Sequence, residues 1–274
     1  MARAMAAISR IARAYVATPA GQLHYRDSGG QGPALLLVHM TPRSGRMWEP
    51  AVAPLARAGW RVLAPDLLGY GRSDPRPEAW RVADWADSLT ALLDALGIAQ
   101  VAALGLHVGA AVTLELALAH PARVRALVLD GLPLPNPGLR AAFAAMAAAP
   151  PPASPGEACE RALALMRDYV PGWTCGPDTI HAFWPVLIDY LETGFASSAP
   201  VMAALDVTQR LPLWRGPLLL TAAETESMAW ALEPARALAP HAACHRWAGT
   251  HPVHDPARAG EWAAPILNFL EGVQ

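Results

Sequence analysis

Hydrophobic positions along the chain follow two different periods. A continuous apolar run occupies Ala34–Val38, and further strands are predicted over residues 101–104, 124–129 and 217–221. Short runs without polar alternation read as strands buried on both faces, which implies a parallel sheet covered by helices on each side. Helical periodicity fills the intervals. Residues 82–96 carry Val82, Trp85, Leu89, Leu92 and Leu96 on one stripe, with Gly97 where a helix stop is expected. Helices are also predicted over 48–58, 110–119, 233–238 and 256–270, and a second strand over 60–64. Two short strands between Tyr15 and Asp27 and another at Ala243–Trp247 complete the set. Strand and helix alternate, so the fold class is α/β with a doubly wound sheet. Between about Pro133 and Leu211 the alternation stops. Proline-rich pieces there separate helical stretches at 158–169 and 180–191. The expected division is a core from 15–132 and 212–274, with a helical insertion at 133–211 over one end of the sheet.

Composition narrows the function classes. The chain has 274 residues, 53% hydrophobic and 16% charged, which suffices for one large core. All 21 basic residues are Arg, set against 23 acids, and the net charge of -2 offers no nucleic-acid footprint. No apolar run is long enough to span a bilayer, and the Arg-bearing start lacks the apolar stretch of a secretory signal. Cys159, Cys175 and Cys244 form an odd, sparse set with no CxxC pair. That fits a reducing, cytoplasmic setting and no disulfide framework. A monomer or homodimer is expected, with a small-molecule partner and neither nucleic acid nor membrane.

The most informative feature is Gly105-Leu106-His107-Val108-Gly109, a G-x-H-x-G between a buried strand and a helix. Small flanking residues are needed where a strand turns sharply into a helix, because larger side chains would strike the neighbouring elements. The central side chain then projects over the C-terminal edge of the sheet, where open α/β sheets bind ligands. It also tops a helix N-terminus, which favours developing negative charge.

Further segments carry a resemblance. Pro65-Asp66-Leu67-Leu68-Gly69-Tyr70-Gly71-Arg72-Ser73-Asp74, His120-Pro121-Ala122-Arg123-Val124 and Gly249-Thr250-His251 occur in one order with the elbow. Together they resemble the α/β-hydrolase fold family over nearly the whole chain. The resemblance implies a mostly parallel sheet flanked by helices, with the insertion as a cap. It implies His251 as the catalytic histidine and Glu226 as the acid that orients it. Backbone N–H groups of Val108 and of Met40 or Thr41 are the implied oxyanion donors, with Arg43 and Ser44 in the facing loop. No cofactor is implied. Four positions depart from the family: His107 stands where it has Ser, Asp or Cys, and Met40 follows His39 where it has Gly. Glu226 replaces the usual Asp, and Ala223 a common Gly.

These departures set the expected chemistry. His107 is a nucleophile, a base or a binding group, and His251 an acid/base beside Glu226. Glu224, two residues away, is the rival acid, and His254 the rival histidine. Hydrolysis of an ester, lactone or related carbonyl compound is the leading reading, on a small, mainly hydrophobic substrate. A cofactor-free lyase, decarboxylase, cyclase or oxygenase with His107 as base is the alternative, and a binding protein without turnover is the third. A metal held by His39, His107, His251 and a carboxylate, and Ser44 as a displaced nucleophile, are weighed and set below these. Asp66 and Asp74 read as loop-shaping residues, and His120 as structural. Trp173, His181, Phe183, Trp184 and Tyr190 read as the insertion's own core before a ligand cage.

Overall fold

The computed structural model describes residues 11–77, 80–169, 184, 185, 187–189, 191 and 199–273. Eight strands form one sheet: β1 (Ala12–Thr18), β2 (Gly21–Asp27), β3 (Ala34–Val38), β4 (Arg61–Pro65), β5 (Val101–Leu106), β6 (Val124–Asp130), β7 (Leu218–Ala223) and β8 (Ala243–Trp247), in the order β1-β2-β4-β3-β5-β6-β7-β8. β1–β2 and β2–β4 pair antiparallel, and every other pairing is parallel.

The apolar runs are buried on both faces, as their pattern requires. Ala34, Leu36 and Val38 join one core cluster and Leu35 and Leu37 the other. The first cluster takes α2 (Val82–Ala95), α3 (Val108–Ala119) and α7 (Leu232–Leu238). The second takes α1 (Glu49–Arg57) and α8 (Ala259–Glu271). Each half thus packs helices on sheet in a three-layer sandwich. Trp85 is fully buried, and its indole N–H donates to the Leu68 carbonyl at 2.9 Å, which ties α2 to the loop after β4.

Several boundaries differ from the sequence reading. The helix expected over 48–58 is α1, and a 3-10 turn, Gly45–Trp48, capped by Ser44, precedes it. The last helix likewise opens with a 3-10 turn, Pro256–Arg258. α3 begins at Val108, two residues earlier than expected, so no residue separates the elbow from its helix. Between β6 and β7 the described residues form helices and no strand: α4 (Pro137–Ala148), α5 (Pro155–Tyr169), helical residues among 184–191, and α6 (Ala199–Ala204). Of the aromatic residues expected there, Trp184 is exposed; Trp173, His181, Phe183 and Tyr190 lie outside the described residues.

One buried carboxylate organises the loops beside the site. Asp66 is fully buried and accepts from Arg26 Nη1 (2.7 Å), the Gly45 N–H (2.8 Å) and the Arg72 N–H (3.1 Å), and pairs with His24 Nδ1 (2.8 Å). Burial alone would raise its pKa; His24 and Arg26 reverse this and hold it at about 2. A folded-state value below the ordinary 3.8 adds stability above pH 3.8, and that stability is lost as pH falls toward 2. Asp66→Asn is expected to cost about 3 kcal/mol at pH 7, because Arg26 stays buried without its carboxylate. It should also flatten the loss of stability between those pH values. Urea unfolding from pH 7 downward checks both; a variant that keeps the parent slope contradicts the assignment.

Candidate active site

The elbow is the most constrained turn of the chain. His107 follows β5 at φ 50, ψ −115, the one non-glycine residue with positive φ among those described. Its N–H donates to the Asp130 carbonyl at 2.9 Å, and its carbonyl accepts from Ala110 N–H at 2.9 Å. A Cβ on Gly105 would collide with the Gly109 backbone, and one on Gly109 with the Val38 and His39 carbonyls. The two glycines therefore let β5, α3 and β3 close together, and the strained residue between them is held by hydrogen bonds on both sides. Val108 is the first residue of α3, so its N–H has no carbonyl one turn below.

The His107 ring is 9% exposed and lies over Gly131, where an added Cβ would stand 2.5 Å from ring Cδ2 and 2.8 Å from Nε2. Nε2 is 3.4 Å from Glu226 Oε2. Glu226 stands on the turn after β7, and its Oε1 accepts from the Ala223 N–H at 3.2 Å, which fixes the carboxylate.

The structure places Asp130 nearer to His251 than the expected partner, Glu226, which stays within ion-pair distance. His251 Nε2 contacts both oxygens of Asp130, at 3.1 and 3.0 Å, and stands 3.9 Å from Glu226 Oε2. Asp130 closes β6, with its Cα in register with Leu106 and Thr221 on either side. Its carboxylate therefore starts nearer the sheet than Glu226 and fills the space below His251. The Trp262 indole N–H also donates to it, at 3.3 Å. Glu226 is left facing His107. The nitrogens of His251 are both engaged, since Nδ1 accepts from the Val253 N–H at 3.2 Å.

Charge follows from these contacts. Burial alone would lower the pKa of His251, but the Asp130 carboxylate and then Glu226 hold it above the ordinary 6.5. His254, whose ring centroid is 5.5 Å from that of His251, is pushed well down by burial and, after it, by electrostatic interaction with His251, Arg43 and His107.

The remaining expected residues separate. His39 braces its loop: Nδ1 pairs with the Met40 carbonyl (2.8 Å) and Nε2 accepts from the Leu67 N–H (2.9 Å), with burial lowering its pKa. Met40 lies in the apolar cluster with Leu106 and Trp48. Thr41 is buried beside it. Glu224 is exposed and accepts from the Gly249 N–H at 2.9 Å, bracing the loop ahead of His251. The Ser44 hydroxyl donates to Asp189 Oδ1 at 2.7 Å, and Arg43 Nε to Asp189 Oδ2 at 3.3 Å. Ligating atoms of Asp130, Glu226 and His251 lie within 4.8 Å of one another, a spacing that suits a divalent ion. With the Val253 N–H on Nδ1, however, the neutral His251 ring carries its proton on Nε2, the atom an ion would need. Asp130 and Asp189 were missed from sequence. For Asp130 the available signal was an acid ending an apolar run immediately before a glycine; for Asp189 there was none.

Sequence comparison accords with this geometry. A family described as alpha/beta hydrolase fold matches residues 33–165. A hydrolase structure from Pseudomonas aeruginosa PA01 superposes with a TM-score of 0.75 at 25% identity, covering 94% of this chain and 98% of that one. The chain belongs to the α/β-hydrolase fold superfamily. Among curated relatives, bifunctional epoxide hydrolase 2 of Rattus norvegicus is 37% identical over 132 residues, 46% of this chain and 24% of its own length. Lipase LipV of Mycobacterium tuberculosis is 37% identical over 153 residues, 54% of this chain and 58% of its own. The match thus spans about a quarter of the first relative and little more than half of the second. Within this superfamily member, no described helix is long and apolar enough to cross a membrane.

The His251–Asp130 pair makes a direct prediction. NMR titration of the parent should place His251 above 6.5, and Asp130→Asn should move it below, since burial persists and the carboxylate is gone. Stability that His251 contributes through its raised pKa is fully present below 6.5 and lost as pH rises through the folded-state value. An unmoved His251 titration in the variant would sink the assignment.

Proposed function

We propose that the protein is a hydrolase of a small ester, lactone or related carbonyl compound, with His107 as the reacting group. The supporting observation is the strained elbow that holds the His107 ring between Gly131 and Glu226, Nε2 3.4 Å from the carboxylate. A carboxylate at one ring nitrogen stabilises the imidazolium that forms when the other takes a proton. In this reading Nδ1 of His107 removes a proton from water as the water attacks the substrate carbonyl. The resulting oxyanion is received by N–H groups of Val108 and of Met40 or Thr41. The proton then passes to the leaving oxygen, giving acid and alcohol. His251 and Asp130 act through Glu226 as positioning residues: they add fixed charge beside its carboxylate and touch no substrate atom.

A site with a backed base and oxyanion donors also suits proton removal from carbon, the first step of a lyase or decarboxylase. Incorporation of solvent ¹⁸O into product separates the two readings.

Short p-nitrophenyl esters and lactones test the proposal. The parent should turn them over, with kcat/KM falling roughly a hundredfold or more in His107→Ala and at least tenfold in Glu226→Gln. Glu226→Gln should also change the pH profile, which loss of fold alone would not do. An inert parent, or a His107→Ser variant that gains esterase activity the parent lacks, points away from ester hydrolysis.

A further inference from the structure

Arg43 has no task in the hydrolytic reading, yet it stands in the site. It occupies the turn after β3, where its N–H donates to the Met40 carbonyl at 3.0 Å, so it lies two residues beyond Thr41. The 3-10 turn that follows it, Gly45–Trp48, packs against Pro252–His254, the turn after His251. Arg43 is thereby on the same side of the strand ends as the two histidines, and its charge is felt at His254.

Its side chain is 10% exposed. A guanidinium carries five N–H donors in a rigid fork. Only Nε donates a hydrogen bond, to Asp189 Oδ2 at 3.3 Å, and the Nη edge has no hydrogen-bond partner among the described residues. Asp189 is buried and is also held by Ser44, so the Nε end is fixed and the Nη edge is presented as a preformed pair of donors. Two coplanar carboxylate oxygens match that edge bidentately, which a neutral acyl chain cannot do.

We propose that Arg43 receives a carboxylate carried by the substrate, so that the preferred ester or lactone bears an acid group at the end away from the bond that is cut. The ester part of this statement rests on the hydrolytic reading; the anion site stands without it.

The experiment compares p-nitrophenyl hemisuccinate with p-nitrophenyl pentanoate, of similar acyl length, and measures succinate binding by calorimetry. The parent should favour the hemisuccinate in kcat/KM by roughly ten- to hundredfold, the worth of a charge-assisted pair. The ratio should fall to near one in Arg43→Met. Because that variant removes the cation beside the buried Asp189 carboxylate, Arg43→Met with Asp189→Asn provides a charge-balanced second test. Succinate should bind the parent and lose most of its affinity in both variants. If neither ester is turned over while succinate binding still depends on Arg43, the hydrolytic reading fails and the anion site stands. Equal rates on both esters, succinate binding unchanged in the variants, or stronger competition by inorganic phosphate than by succinate would overturn the proposal.

Discussion

The close approach of β5, α3 and β3 at the elbow is the constraint on which the rest of the site depends. Gly105 and Gly109 allow that approach, and the chain between them has to turn within one residue. His107 takes up the turn in a backbone conformation that side-chain-bearing residues avoid, at a cost of order 1–3 kcal/mol. Its position is therefore dictated by packing around it. The same turn puts the first N–H of α3 and the imidazole side by side above the parallel strands, and Gly131 on β6's far end leaves room for the ring.

Around this point three carboxylates are sorted by their tethers. Asp130 leaves the sheet directly from a strand end and is taken by His251. Glu226 leaves from a turn three residues beyond β7 and reaches His107. Asp189 comes from the segment between β6 and β7 and is taken by Arg43 and Ser44. Buried carboxylates need a partner or hydrogen bonds to remain charged, and each of these has one. A separate carboxylate, Asp66, does the same for the loops behind the site. The outcome is a pocket floor in which His107 is backed by one acid while the second histidine is occupied with another.

The central strands were legible because they are buried on both faces and therefore mostly apolar. The elbow was legible because its glycines are a steric requirement of the turn. The pairing of acids with histidines was not. It is decided by lateral register, which sets Asp130 level with Leu106 and Thr221, and by the Val253 N–H that fixes the His251 ring. Neither leaves a periodic trace along the chain. Glu226 read as the partner of His251 because resemblance supplies an order of residues, while distance across the sheet supplies the partner. Arg43 and Asp189, separated by 146 positions, are joined only by the fold.

The coupling of His107 to Glu226 is the centre of this arrangement, and a double-mutant cycle measures it most directly. The parent, His107→Ala, Glu226→Gln and the double variant are compared by kcat/KM on the best hydrolysed ester. A coupled pair should be non-additive by roughly 1–3 kcal/mol, with Glu226→Gln costing little once His107 is gone. Losses that simply add, or a Glu226→Gln penalty that persists in full without His107, would contradict it.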